Sequence, residues 1–205
     1  MIAVVDYGVN NLRSVVRALQ AGGHAAELTA DPRCVREAER VLLPGVGHFG
    51  QAAVNLVRSG LGDAVREAAA AGRPVMGICL GMQLCLERSE EAPEARGLGL
   101  LPGEVRRFAV DLPVPHVGWA RVEATAAGRQ HPLVRDLLAE PEFYYHVHSY
   151  HPAGLPDATV LATGDYGYSF PTLIGQGNIV GAQFHPEKSQ RAGLALLSAF
   201  ARWTP

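Results

Sequence analysis

A cysteine bracketed by glycines, Gly77-Ile78-Cys79-Leu80-Gly81, stands where an apolar strand-like run gives way to a helix-like one. Such a bracket is the thiol counterpart of a nucleophile elbow: the tight turn lifts Sγ above the sheet edge, and the glycines let strand and helix pack closely. A helix N-terminus at that point offers free backbone N–H groups and the positive end of the dipole, both of which favour the thiolate over the thiol. The Leu80 amide would point into the same space and stabilise a tetrahedral oxyanion. Free cysteines are ordinarily small buried hydrophobes. Cys34 in a polar helical stretch and Cys85 within the helix lack the bracket and keep that ordinary role.

A nucleophilic thiol needs a base, and Gln183-Phe184-His185-Pro186-Glu187-Lys188 supplies one beside an acid. Positions i and i+2 share a face, so Glu187 can orient His185 while the other ring nitrogen turns to the thiol. Cys79, His185 and Glu187 then form a triad. His146 and His148 alternate on one strand and with Cys79 suggest a metal, but the spacing offers no further ligand, so no metal and no cofactor are expected. Gly45, Gly47 and Gly50 satisfy GxGxxG after a strand, yet the match is not in the first β-α unit and Glu67, the acid near the required offset, lies in a helical segment. The loop serves better as a second oxyanion donor, through the amide of Val46 or Gly47.

The elements that must carry these residues are legible as repeating β-α units. Met1 to Asp6 reads as a strand, followed by a helix with Leu12, Val15, Val16 and Leu19 in register, Asn10-Asn11 as N-cap and Gly22-Gly23 as terminator. Residues 40 to 44 and 74 to 79 repeat the strand signal, the first before helical segments reaching Ala71 and the second before Leu80 to Arg88. Repeated β-α units imply a parallel, doubly wound sheet. After Gly97 short β-type runs predict mixed or antiparallel strands, closed by a helix from Ser189 to about Trp203 with Leu194, Leu197 and Phe200 on one face. The 205 residues, 48% of them hydrophobic, suit one domain spanning residues 1–205. A net charge of −2 with no basic run gives no footprint for nucleic acid, and the apolar runs are too short to span a membrane. The opening MIAVVDYG has no signal-peptide pattern, so a cytoplasmic location is expected. Three cysteines argue against a disulfide framework.

With elbow, glycine loop and HisProGlu in this order, the chain resembles the class I, triad-type glutamine amidotransferases along its whole length. The segments AspTyrGlyValAsnAsnLeu, LeuProGlyValGlyHisPheGly, GlyIleCysLeuGlyMetGln, HisValGlyTrp, TyrTyrHisValHisSerTyr and PheHisProGluLysSer are similar to the branch of that family that feeds histidine biosynthesis. The resemblance implies a flavodoxin-like, three-layer α/β/α fold with a mostly parallel sheet and extra antiparallel strands in the C-terminal half. It implies Cys79 as nucleophile, His185 as general base and acid, Glu187 as its orienter, and an oxyanion hole from Val46 and Leu80. It places L-glutamine against Gly47, Gln83, Glu91 and His148-Ser149-Tyr150, with Glu90 as the alternative to Glu91 for the α-ammonium. It further implies a heterodimer with a separate β/α-barrel cyclase subunit that consumes the ammonia, with Trp119 and Lys188 facing that partner. A non-catalytic module on the same fold would be expected to have lost the thiol or its base. A cysteine peptidase with the same elbow would be expected to lack HisProGlu.

Overall fold

Four short, unbroken apolar runs, each too small to be a helix, lie side by side and are covered on both faces, as strands of a parallel sheet must be. The computed structural model covers residues 1–205. In chain order the elements of the first half are β1 (Ile2–Val5), α1 (Leu12–Ala21), β2 (Ala26–Thr29), α2 (Pro32–Glu37), β3 (Arg40–Leu43), α3 (Phe49–Ser59), α4 (Leu61–Ala70), β4 (Val75–Ile78) and α5 (Leu80–Cys85). The second half contains β5 (Arg88–Ser89), β6 (Glu104–Arg107), β7 (His116–Ala124), α6 (Ala126–Gln130), β8 (Glu142–His148), β9 (Tyr150–Ala153), β10 (Val160–Asp165), β11 (Ser169–Gln176), β12 (Ile179–Ala182) and α7 (Gln190–Arg202). The main sheet runs β2-β1-β3-β4-β12-β11-β10-β7-β8, and β5-β6-β9 form a smaller one. Strands β1 to β4 are parallel, β12 joins β4 in parallel, and the remaining main-sheet strands pair antiparallel.

One core packs α2, α3, α4 and α5 on one face of the sheet around Phe49, Leu56, Leu61 and Met82. The other packs α1 and α7 on the opposite face around Leu19, Phe184, Leu197 and Phe200. The result is three layers, as expected. No helix is long and apolar enough to cross a membrane.

Several local expectations differ from the fold. Asn11 does stand at the N-cap of α1, but at φ 70 with no capping hydrogen bond, because its side chain is engaged elsewhere. The elbow helix stops at Cys85 rather than Arg88, since Leu86 turns extended. On α7 the inward residues are Gly193, Leu196, Leu197 and Phe200, while Leu194 faces out. The two runs HisValGlyTrpAla and ArgValGluAlaThr are one strand, β7. Strand β11 had escaped notice because Pro171 and Gly175 weaken its β signal.

Candidate active site

Ala182 of β12 lies in register with Ile78 of β4. The two parallel strands therefore deliver Cys79 and Gln183 side by side at the carboxyl edge of the sheet, with His185 two residues further on. Open α/β sheets place their ligands at this edge. The Cys79 N–H donates to the Ala182 carbonyl at 2.7 Å, tying the elbow to the strand that carries the histidine. Cys79 has φ 52 and ψ −111, a conformation that L side chains rarely adopt and that persists only when the surroundings impose it. The close packing of α5 on β3 and β4 imposes it, and the flanking glycines permit that packing. A Cβ on Gly81 would lie 1.7 Å from the Leu43 carbonyl oxygen, and one on Gly77 would lie 2.5 Å from Met82 Cα, so α5 can start where it does only without those carbons.

His185 is held by its backbone before its ring is considered. Its N–H donates to the Tyr145 carbonyl at 2.9 Å, and its own carbonyl accepts from Ser189 Oγ at 2.6 Å. Nδ1 pairs with Glu187 Oε1 at 2.8 Å, and the Glu187 side chain is fully buried. That same oxygen accepts from Asn11 Nδ2 at 2.6 Å, which explains why Asn11 does not cap its helix. Burial pulls the His185 pKa down, but the neighbouring Cys79 and then Glu187 outweigh it and push the pKa up to about 10. Nε2 is buried with no aligned hydrogen-bond partner. The Cys79 sulfur thus raises the His185 pKa without meeting hydrogen-bond geometry, a looseness common in active sites without substrate.

A cavity of about 250 Å³ opens over the thiol, lined by Val46, Gly47, Cys79, Leu80, Gln83, Glu91, Pro115, Val147, His148, Ser149 and Tyr150. The structure thus gathers every residue expected to hold substrate. Glu91 rather than Glu90 reaches the cavity: its Oε2 accepts from the Phe49 N–H at the start of α3 at 2.7 Å. Glu90 is exposed and takes the Arg107 N–H at 2.9 Å. Gln83 Nε2 donates to the Tyr150 carbonyl and to Gln183 Oε1, both at 3.2 Å.

The two amides expected to form an oxyanion hole are not open together. The Leu80 N–H donates to the Gly45 carbonyl at 3.3 Å. A trans peptide is rigid and sets C=O and N–H in opposite directions, so with the Gly45 carbonyl turned to Leu80, the Val46 N–H points away. Tyr7 Oη holds this loop one residue earlier, donating to the Pro44 carbonyl at 2.7 Å.

Lys188 and Trp119 lie outside the cavity. Trp119 is 47% exposed, and its ring meets Tyr145 edge-on at 6.1 Å. Lys188 is exposed and places Nζ 5.8 Å from the centre of the same Tyr145 ring, so the two form one strip beside the triad. No spacing supplied a third ligand to His146 and His148, but the β7–β8 pairing sets His116 opposite His148. Sequence reasoning also assigned no place in the site to Tyr7, Asn11, Gln183 and Ser189. Of these only Gln183 carried a local signal, since it shares the strand face of His185. Its Nε2 lies 3.8 Å from Cys79 Sγ, aimed to donate to it.

A family model described as glutamine amidotransferase class-I matches residues 3–202. The chain is 50% identical over 201 residues to the imidazole glycerol phosphate synthase subunit HisH of Symbiobacterium thermophilum, covering 98% of this chain and 93% of that protein. It is 45% identical over 199 residues to the subunit of the same name from Moorella thermoacetica, covering 97% and 93%. Among solved structures, a glutamine amidotransferase superposes with TM-score 0.75 at 21% identity, covering 97% of this chain and 99% of that one. PurLQS from Thermotoga maritima superposes with TM-score 0.72 at 19% identity, covering 97% and 96%.

Proposed function

Since the chain belongs to the class I glutamine amidotransferases, we propose that it hydrolyses L-glutamine to L-glutamate and ammonia as the glutaminase subunit of imidazole glycerol phosphate synthase. The observation that carries this reading is the convergence of Cys79, His185 and Glu187 from adjacent parallel strand ends beside a cavity lined by Gln83, Glu91 and His148. The Cys79 thiolate attacks the side-chain amide carbon of glutamine, and the negative charge moves to the amide oxygen. Collapse of this intermediate breaks the C–N bond as the His185 imidazolium gives its proton to the departing ammonia, leaving a thioester. The neutral imidazole then takes a proton from water, hydroxide adds to the thioester, and glutamate leaves with the thiolate restored. Glu187 keeps the ring in the tautomer this requires. Glu91 neutralises the substrate α-ammonium.

In this reading residues 1–205 are one domain acting in the cytoplasm and needing no cofactor. Its ammonia passes to a separate cyclase subunit that makes imidazole glycerol phosphate and aminoimidazole carboxamide ribotide for histidine biosynthesis. Trp119 and Lys188 face that subunit. The test is glutamine hydrolysis by the chain alone and with the cyclase. Cys79→Ala is expected to lower turnover on the order of 10⁴-fold or more, whereas Cys34→Ala and Cys85→Ala keep most of it. Cys85 is inert because burial pushes its thiol up to about 12. The Cys79→Ala complex should still make product from added ammonium salts. Glutamine hydrolysis by Cys79→Ala protein would rule the thioester out.

A further inference from the structure

A trio of histidines beside the cavity plays no part in the thiol chemistry. His116 of β7 sits opposite His148 of β8, and His146 lies on the same strand face as His148 two residues before it. All three are buried, at 5%, 0% and 5% exposure. Each offers a ring nitrogen within 4.8 Å of the others. The hydrogen bonds settle two of the tautomers. The Tyr150 carbonyl can only accept, so His148 Nδ1, 2.8 Å away, carries a proton. Its Nε2 then holds a lone pair and accepts from His146 Nδ1–H at 3.0 Å. That leaves His146 Nε2 as a bare, buried lone pair, and neither it nor His116 Nδ1 has a partner. The walls are the aromatic rings of Phe108, Tyr166, Phe170 and Phe184, with no acid to hold an imidazolium. His116 Nδ1, buried beside the His146–His148 pair with no hydrogen bond of its own, calls for a partner.

We propose that His116, His146 and His148 form a binding site for one borderline transition-metal dication of the zinc class. Three imidazoles without a carboxylate suit zinc, cobalt, nickel or copper rather than magnesium or calcium. At metal–nitrogen distances near 2.0–2.1 Å, tetrahedral ligands sit roughly 3.3 Å apart. The 3.0 Å pair of His146 Nδ1 and His148 Nε2 is already close to this, and His116 must draw in. The ion takes the place of the proton shared by that pair, which moves to His146 Nε2, so no net proton is released. Water completes the coordination, as in three-histidine sites with an open position. Because His148 also lines the cavity, and on the glutaminase reading above, an occupied site restrains a substrate-binding residue and lowers glutamine turnover.

The test is titration of the full chain with Co²⁺ followed by displacement with Zn²⁺. One equivalent with the intense visible absorption of a four-coordinate ion, and without a thiolate-to-cobalt charge-transfer band, is expected. It should survive Cys79→Ala and the remote His24→Gln. In His146→Phe, which keeps an aromatic ring in the cluster, affinity should fall by more than the ~10–100-fold typical of losing an outer-sphere partner. Should that variant misfold, His116→Leu gives the same readout. Absence of stoichiometric binding, or binding that persists in the folded histidine variant or disappears with Cys79→Ala, overturns the site. The titration needs no turnover, so its outcome stands apart from that of the glutaminase assay. In that assay, inhibition by Zn²⁺ should be relieved in His146→Phe.

Discussion

At the scale of single residues, the triad depends on a fourth member that no local pattern announces. Asn11 reaches Glu187 across 176 positions of sequence and donates to the oxygen that also pairs with His185. A hydrogen bond to a charged group is worth ~1.5–3 kcal/mol. Asn11→Leu is therefore expected to lower kcat roughly 10–100-fold. Asn11→Gly separates the cause, because glycine accepts φ 70 without strain but has no donor, and it should lose as much. Full turnover in both variants would remove Asn11 from the machinery. The His185 pKa gives a second prediction. A histidine titrates near 6.5 when unfolded, and here it is raised to about 10, so the folded state binds the proton more tightly. The resulting stabilisation is complete below about pH 6.5 and is lost as pH rises through about 10. Chemical unfolding from pH 6 to 10.5 should show this decline in the wild type and a flatter profile in Cys79→Ala, which lacks the largest contribution raising the pKa. Cys79, His185 and Glu187 were legible because a glycine bracket and an i, i+2 pair are local patterns. Asn11 and Tyr7 were not, because each acts through a contact made only in the fold, and Gln183 shared the strand face of His185 without any sign that it reaches the thiol.

Among the elements, the junction of β4 and α5 carries the tightest steric demand. The helix passes so close to the end of β3 that a single methyl at position 81 would overlap the Leu43 carbonyl. Relief requires a backbone shift, at a cost of about 1–3 kcal/mol or more. Gly81→Ala should thus lower the melting temperature by roughly 2–12 °C, at about 2–4 °C per kcal/mol for a chain of this size, and it should lower turnover further by displacing the Leu80 amide. An unchanged melting temperature would mean that the turn can relax elsewhere. The elements themselves were read unevenly. The central parallel strands are almost wholly apolar, so β1, β3 and β4 stood out, whereas β2 at the sheet edge carries Glu27 and buries only Ala26, and β11 contains Pro171 and Gly175. The third histidine was missed for a related reason. His116 belongs with His146 and His148 only through the antiparallel register of β7 with β8, and register does not show in spacing along one chain.

For the molecule as a whole, the site and the strip formed by exposed Trp119 and Lys188 with half-buried Tyr145 between them lie on linked elements: His185 hangs from the Tyr145 carbonyl, and Lys188 follows Glu187. Lys188 is the single lysine in the chain, so an amine-selective reagent has only it and the Met1 α-amino group to modify. Labelling of Lys188 is expected to be fast in the free chain and slow with the cyclase bound, read by peptide mass spectrometry. Equal rates would place the docking surface elsewhere. The Gly45–Val46 peptide gives such docking something to act on. Its carbonyl occupies the Leu80 amide, and rotating that one peptide inward would free the Leu80 and Val46 amides together. If the inward-turned form were one part in a hundred, the free chain would work at a hundredth of its capacity however well its triad is built. A loaded partner that favoured the inward form by ~5.5 kcal/mol would carry the ratio from 1:99 to 99:1. The rotation of one peptide plane would then set the rate at which glutamine is spent, and the chemistry at Cys79 would need no adjustment at all.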